Sequence, residues 1–165
     1  LISPMIVPLI ITAAGMFFFY ARINLVYSFT GIILAHVALA TPFVVITVTA
    51  TLVGFDMNMV KASQSLGAKP MKTFFKIIMP LILPGIISGA LFAFITSFDE
   101  VVIVMFMASL DQLTIPKQMW AGIRQEISPV ILCMATCLVI LSILLLTTVE
   151  LLRRRSEKLR GIKSR

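Results

Sequence analysis

Charge is scarce in this chain, and acidic charge scarcest: seven Asp and Glu stand among 165 residues, and charged residues of both signs make up 13%. With 59% hydrophobic residues and a mean hydropathy of +1.07, a chain of this size cannot enclose its apolar residues in one water-soluble core. There is one histidine, His36, and there are two cysteines, Cys133 and Cys137, one helical turn apart in a single apolar stretch with no other ligand candidate near them. That argues against disulfide or metal chemistry and favours packing within a helix interface as their reading. No Gly-x4-Gly-Lys phosphate loop occurs, and there is no soluble domain to hold one, so the chain is no nucleotide hydrolase by itself. No Ser-His pair, metal-ligand set or paired carboxylates falls inside an apolar stretch, which argues against a membrane-embedded enzyme. Catalytic residues, metal ligands and cofactors are therefore not expected. Internal repeats and low-complexity segments are also lacking. The chain opens on Leu1 without a charged n-region, short apolar segment and small-residue cleavage site, so a signal peptide is not expected and N-terminal truncation is.

What the sequence has in abundance is long apolar runs, from Pro4 to Ala21, Leu25 to Val53, Ile77 to Phe98 and Pro129 to Val149. At 1.5 Å per residue each is long enough to cross about 30 Å of hydrocarbon. The runs are continuous and contain Gly and Pro, whereas a barrel would show short segments alternating with period two. The expected fold is an all-α membrane protein, a polytopic bundle of four spanning helices over 4–21, 25–53, 77–107 and 129–152 in one domain. His36, alone in the second run, reads as a hydrogen-bonded packing element and is given no role.

The formal charge of +7 invites a nucleic-acid partner, but the basic residues sit beside the apolar runs and not over a soluble face. Seven of the 14 Lys and Arg follow Glu150, and Lys61, Lys69, Lys72 and Lys76 fall between the second and third runs. The positive-inside rule puts this 54–76 loop and the basic tail 153–165 in the cytoplasm, and the first and third connections outside. Lipid is thus the expected solvent, and nucleic acid is not an expected partner. Tyr20, Arg22 and Tyr27 mark the outer interface. Met119, Trp120, Ile123 and Ile127 form the apolar stripe of an outer amphipathic helix over about 116–127, in which Trp120 reads as an interfacial anchor.

The 54–76 loop has its own punctuation. Asp56 is placed to cap a short helix over Met57 to Leu66, and Gly67 to close it as the C′ residue. Lys69, Lys72 and Lys76 then share one helical face and Met71, Phe74, Phe75 and Ile78 the other, predicting a piece that lies along the membrane surface. Lys61-Ala62-Ser63-Gln64-Ser65-Leu66-Gly67-Ala68, with Ile77-Ile78-Met79-Pro80 following at fixed distance, resembles the coupling-loop signature of ABC importer permeases: EAA, three residues, Gly, nine residues, Ile, any residue, Leu, Pro. Ala62, Gly67, Ile77 and Pro80 match it. Lys61 stands in place of Glu, Ser63 in place of Ala and Met79 in place of Leu. The resemblance implies that Asp56, Lys61, Ala62, Ser63, Leu66, Gly67, Ala68, Ile77 and Pro80 form a knob that docks a cytoplasmic ABC ATPase dimer, which supplies the energy. The Lys61 departure reverses a charge at that contact.

Ser97-Phe98-Asp99-Glu100-Val101-Val102, together with Ala35-His36, Thr41-Pro42-Phe43-Val44-Val45, Met119-Trp120 and Ser128-Pro129, resembles the spermidine and putrescine permeases of the type I ABC importers over nearly the whole chain. It implies a multi-pass subunit of the bacterial inner (plasma) membrane that pairs with a sister permease, as a heterodimer, and with a periplasmic solute-binding protein. It also implies two further spans at the N-terminal side. A polyamine is an extended polycation, and carboxylates near its path attract its ammonium groups. Asp99 and Glu100 are the solute-path candidates, with Asp99 favoured, since adjacent helical residues point about 100° apart and cannot both face one path squarely. The competing readings are a permease of the same architecture for ferric iron, sulfate or thiamine, and a proton-coupled four-helix exporter, which would want a carboxylate at mid-span.

Overall fold

Prolines, a serine cap and an acidic pair decide where these helices start and stop. The structure, a computed structural model, describes residues 3–125 and 128–159, and among these every regular element is helical. The first apolar run is not one rod. It forms α1 (Ser3–Ile6) and then α2 (Leu9–Arg22), because Pro8 has no N–H to continue the first helix and instead starts the second from an extended conformation. At 14 residues α2 reaches roughly 21 Å, short of the hydrocarbon thickness.

The chain reverses through Asn24 and Tyr27, both at positive φ, and Ser28 then caps α3 (Phe29–Val53) by accepting the Gly31 N–H at 3.0 Å. The second span therefore starts at Phe29 and not at Leu25, since residues 23–28 make the turn. Next come α4 (Asn58–Ser65), α5 (Pro70–Thr73), a π-helical turn (Phe74–Ile78) and α6 (Met79–Phe98). From Pro70 to Phe98 the helix is unbroken, 29 residues long. The predicted surface-lying piece is thus the foot of the third span. Pro80 explains the π-turn: its ring cannot sit against the Lys76 carbonyl, the helix widens ahead of it, and the Met79 N–H reaches back five residues to Phe74 O.

The third span does not run on to residue 107. It ends at Phe98, and after Asp99–Val101 a separate helix α7 (Val102–Met107) turns inward. Buried Ile103 and Met107 of α7 pack with Ala13 of α2 and with Ala35 and Leu39 of α3, and this is the main core cluster. The amphipathic helix α8 (Ile115–Gln125) follows, its expected last two residues lying outside the described ones, and α9 (Pro129–Leu159) is the last described element. It carries the helix through the start of the expected tail; the tail beyond residue 159 lies outside the described residues.

α3 and α6 make the most extensive helix pair. Small residues allow it: a Cβ on Gly85 would strike Thr51 Oγ1, and one on Gly89 would strike Thr47 Oγ1 and come within 2.9 Å of Val44 Cα. Both threonines donate to carbonyls of their own helix, Thr51 to Thr47 O at 2.9 Å and Thr47 to Phe43 O at 3.0 Å, so the close approach strands no hydroxyl.

Among the described residues three helices, and not the expected four, meet the length and apolarity needed for a membrane crossing: Phe29–Val53, Pro70–Phe98 and Pro129–Thr148. No residue in the apolar window of the last is buried against the rest of the chain. Cys133 and Cys137 are exposed there and do not pack in an interface within this chain. The first and third connections share one end of the bundle, where the Tyr27 N–H donates to Met107 O at 2.9 Å and Gln112 Nε2 donates to Tyr27 O at 3.2 Å.

Candidate functional site

Two features distinguish this bundle from a plain set of apolar rods: a capped polar knob at one end of the 29-residue helix and an acidic break at the other. In the knob, Asp56 Oδ1 accepts the Asn58 N–H at 2.9 Å, so the carboxylate serves the first turn of α4 from just outside it. The helix is one residue shorter at each end than the predicted span of Met57 to Leu66. Gly67 has φ +79°, and a paired set of bonds closes the helix: Ala68 N–H to Ser63 O at 3.1 Å and Gly67 N–H to Gln64 O at 2.9 Å. This left-handed stop requires glycine for steric reasons.

Ser63, at the position where the resembling signature has alanine, is buried and meets the equally buried Thr73 hydroxyl at 2.7 Å. The contact locks α4 against α5. Lys61 and Ala62 are exposed on α4, Leu66 is 88% exposed at its end, and Ala68 is half-buried. Ile77 is half-buried in the π-turn, and Pro80 stands at the start of α6. All nine predicted knob residues thus fall in one contiguous unit. Behind Gly67 lies a concavity of about 260 Å³ lined by Ser63, Leu66, Lys72, Thr73, Lys76 and Ile77.

At the other end of the helix, Asp99 and Glu100 part company. Asp99 is the C-cap of α6, donates its N–H to Ile95 O at 3.1 Å, and has an exposed side chain. It lines a cavity of about 520 Å³ between α6, α8 and α9, together with Phe98, Met119, Trp120 and Ile123. Glu100 is 6% exposed, and its Oε1 accepts the Ile103 N–H at 2.8 Å, satisfying a free donor in the first turn of α7. It lines a second cavity of about 530 Å³ with His36, Ser97 and Thr114. Phe94, Phe98, Pro116 and Leu138 border both spaces. The expectation separated the two acids by helical spacing, but both lie in the non-helical break between α6 and α7, and it is the turn of the chain there that sends them to different cavities.

His36 is the residue that sequence reasoning left without a role. Its Nδ1 lies 2.8 Å from Ser97 Oγ, joining α3 to the last turn of α6, and its buried Nε2 has no hydrogen-bond partner among the described residues. The one available signal was a lone imidazole inside an apolar run, which does not reveal its partner 61 residues away. Trp120, predicted as an anchor, shares the Asp99 cavity. Lys117 donates to Ser109 O at 3.2 Å and Ala108 O at 3.5 Å, which satisfies carbonyls at the C-terminal end of α7 and braces the loop against α8.

Membrane-length helices, with all regular structure among the described residues helical, define an all-α membrane protein. The chain belongs to the family described as binding-protein-dependent transport system inner membrane component, which matches residues 2–158. Among its relatives, the spermidine/putrescine transport system permease protein PotC of Haemophilus influenzae is 30% identical over 153 residues, covering 93% of this chain and 60% of that protein. PotC of Escherichia coli K12 is 29% identical over 154 residues, 93% of this chain and 58% of that one. The putrescine transport system permease protein PotI of E. coli K12 is 31% identical over 140 residues, 81% and 50%. The chain thus spans about 60% of the length of the first of these relatives.

Proposed function

We propose that this chain is the transmembrane permease subunit of an ATP-driven importer of polyamines, putrescine or spermidine, in the bacterial inner membrane. The observation that carries the reading is the single helix Pro70–Phe98, which joins the Ser63–Thr73 lock of the knob directly to the acidic break at Asp99. At helical rise it spans roughly 43 Å, so a displacement at the knob is delivered to the carboxylates with one π-turn as the compliant element. In this reading a cytoplasmic ABC ATPase dimer grips the knob, and its closure tilts the helix and changes access to the cavities beside Asp99 and Glu100. A sister permease, forming a heterodimer, covers apolar surface that this chain leaves exposed, and a periplasmic binding protein delivers the solute at the end where Tyr27 and Gln112 meet. ATP hydrolysis belongs to the partner, and this chain contributes the path.

Asp99 suits an ammonium ligand because its carboxylate is exposed and shares a cavity with Trp120, a residue type whose ring face attracts cations. Glu100 contributes field from the adjoining space while its Oε1 holds α7 in place. The similarity to relatives named as polyamine permeases supports this choice of solute. The test is reconstitution of the full complex in proteoliposomes with ATP inside and labelled putrescine or spermidine outside with the binding protein. Uptake that requires ATP and prefers these amines over sulfate, thiamine and ferric iron is the expected result. ATP-independent uptake by the isolated chain would sink the proposal.

A further inference from the structure

The knob is cationic as well as rigid. Between Gly54 and Pro80 the sequence holds four lysines and one acid, Asp56. Asp56 lies at the N-terminal side of α4, where its carboxylate accepts the Asn58 N–H, while Lys69, Lys72 and Lys76 all follow the C-terminal end of that helix. All four lysines are exposed. Lys72 and Lys76 line the concavity of about 260 Å³ behind Gly67, and Leu66, 88% exposed, stands at its edge. Exposed lysines lining a dent of side-chain size, next to a bare apolar tip, make a receptor for a protruding acidic side chain with an apolar neighbour. A flat headgroup layer has no such protrusion to offer.

Resting on the reading that a cytosolic ATPase grips the knob, we infer that the partner's socket is acidic: a carboxylate of the ATPase enters the dent between Lys72 and Lys76, a second lies against Lys61, and Leu66 fills an apolar depression beside them. Opposed charges at such a rim set register and reject like-charged partners. An ATPase whose socket bears basic residues there does not serve this permease.

Carbodiimide, which joins an amine to a carboxylate only when they touch, tests this on the whole complex in native membrane vesicles. The expected product links Lys61, Lys72 or Lys76 to an Asp or Glu of the nucleotide-hydrolysing subunit. The double variant Lys72→Glu, Lys76→Glu then loses about tenfold of solute-stimulated ATP hydrolysis, and changing the linked carboxylate to lysine restores it. A second probe separates failures: Leu66→Cys in a Cys133→Ser, Cys137→Ser background, its thiol labelled with a neutral maleimide–diazirine and photolysed, so that the carbene inserts into whichever residue lies against it. Photocoupling from residue 66 to the ATPase without any lysine–carboxylate link overturns the acidic socket and leaves the docking reading standing. No coupling by either reagent overturns both. Lysines that are shielded only by phosphatidylglycerol vesicles, with no link to the ATPase, also overturn the acidic socket.

Discussion

The hydroxyls of Ser63 and Thr73 meet at 2.7 Å in a buried contact that fastens the short knob helix to the foot of a 29-residue helix. Ten residues separate them in sequence, and the left-handed Gly67 turn brings them together. Ser63 also approaches Val60 O at 3.1 Å, so each hydroxyl of the pair has a use for its proton. A stiff joint at this point decides whether force on the knob moves the span or only bends the loop.

Removing one hydroxyl costs the other a partner, unequally: Thr73→Val leaves Ser63 its bond to Val60 O and should cost about 0.5–1.5 kcal/mol, whereas Ser63→Val leaves the Thr73 hydroxyl buried without its partner and should cost about 1–3 kcal/mol. The double replacement is expected to cost less than the sum of the two. Thermal unfolding of the purified complex gives the stability cycle, and solute-stimulated ATP hydrolysis shows whether the joint carries motion. Additive effects would mean that the two hydroxyls do not depend on each other.

Gly67 at φ +79° tolerates a Cβ poorly, by about 1–2 kcal/mol for an ordinary L residue. Proline is worse, because its φ is held near −65° and it cannot donate to Gln64 O. Gly67→Pro is therefore expected to abolish coupled uptake while the apolar spans still insert and assemble. Uptake at the level of the unmodified chain would place the docking unit elsewhere.

Asp99→Asn keeps size and loses charge. Since the side chain is exposed to a cavity and supports no described fold contact, uptake should fall to background while assembly and thermal stability stay unchanged. Glu100 behaves oppositely: Glu100→Ala removes the acceptor for Ile103 N–H and should lower stability by about 0.5–2 kcal/mol, whereas Glu100→Gln keeps an acceptor and most of the stability. Parallel uptake and unfolding measurements on the three variants separate the two roles.

Gly85→Ala and Gly89→Ala push a methyl into Thr51 and into Thr47 with Val44, and each should destabilise the α3–α6 pair by about 1–3 kcal/mol. Gly15→Ala is the control. Nothing lies within 4 Å of its added Cβ, and replacing a helical glycine there should gain about 0.5–1 kcal/mol. Unfolding midpoints of the three variants check the order.

Lipid as solvent, helices as the structural unit and the knob with its cap and glycine stop were legible in the residues, because each rests on local physics. Continuous apolar runs need hydrogen bonds satisfied within the segment, and a capped helix ending in glycine closes on its own backbone. Asp56, Gly67 and the amphipathic α8 required no distant partner to be recognised. Hydropathy, by contrast, counts apolar residues and ignores direction, so 77–107 read as one span although the chain turns inward after Phe98. What turns it is Glu100 holding Ile103 N–H while α7 finds its place against Ala13, Ala35 and Leu39, residues from other helices. The seat of His36 against Ser97, the division of Asp99 and Glu100 between two cavities, and the Ser63–Thr73 lock likewise came from tertiary packing alone. Each depends on atoms remote in sequence arriving within hydrogen-bond or van der Waals reach, and no local pattern along the chain encodes that meeting.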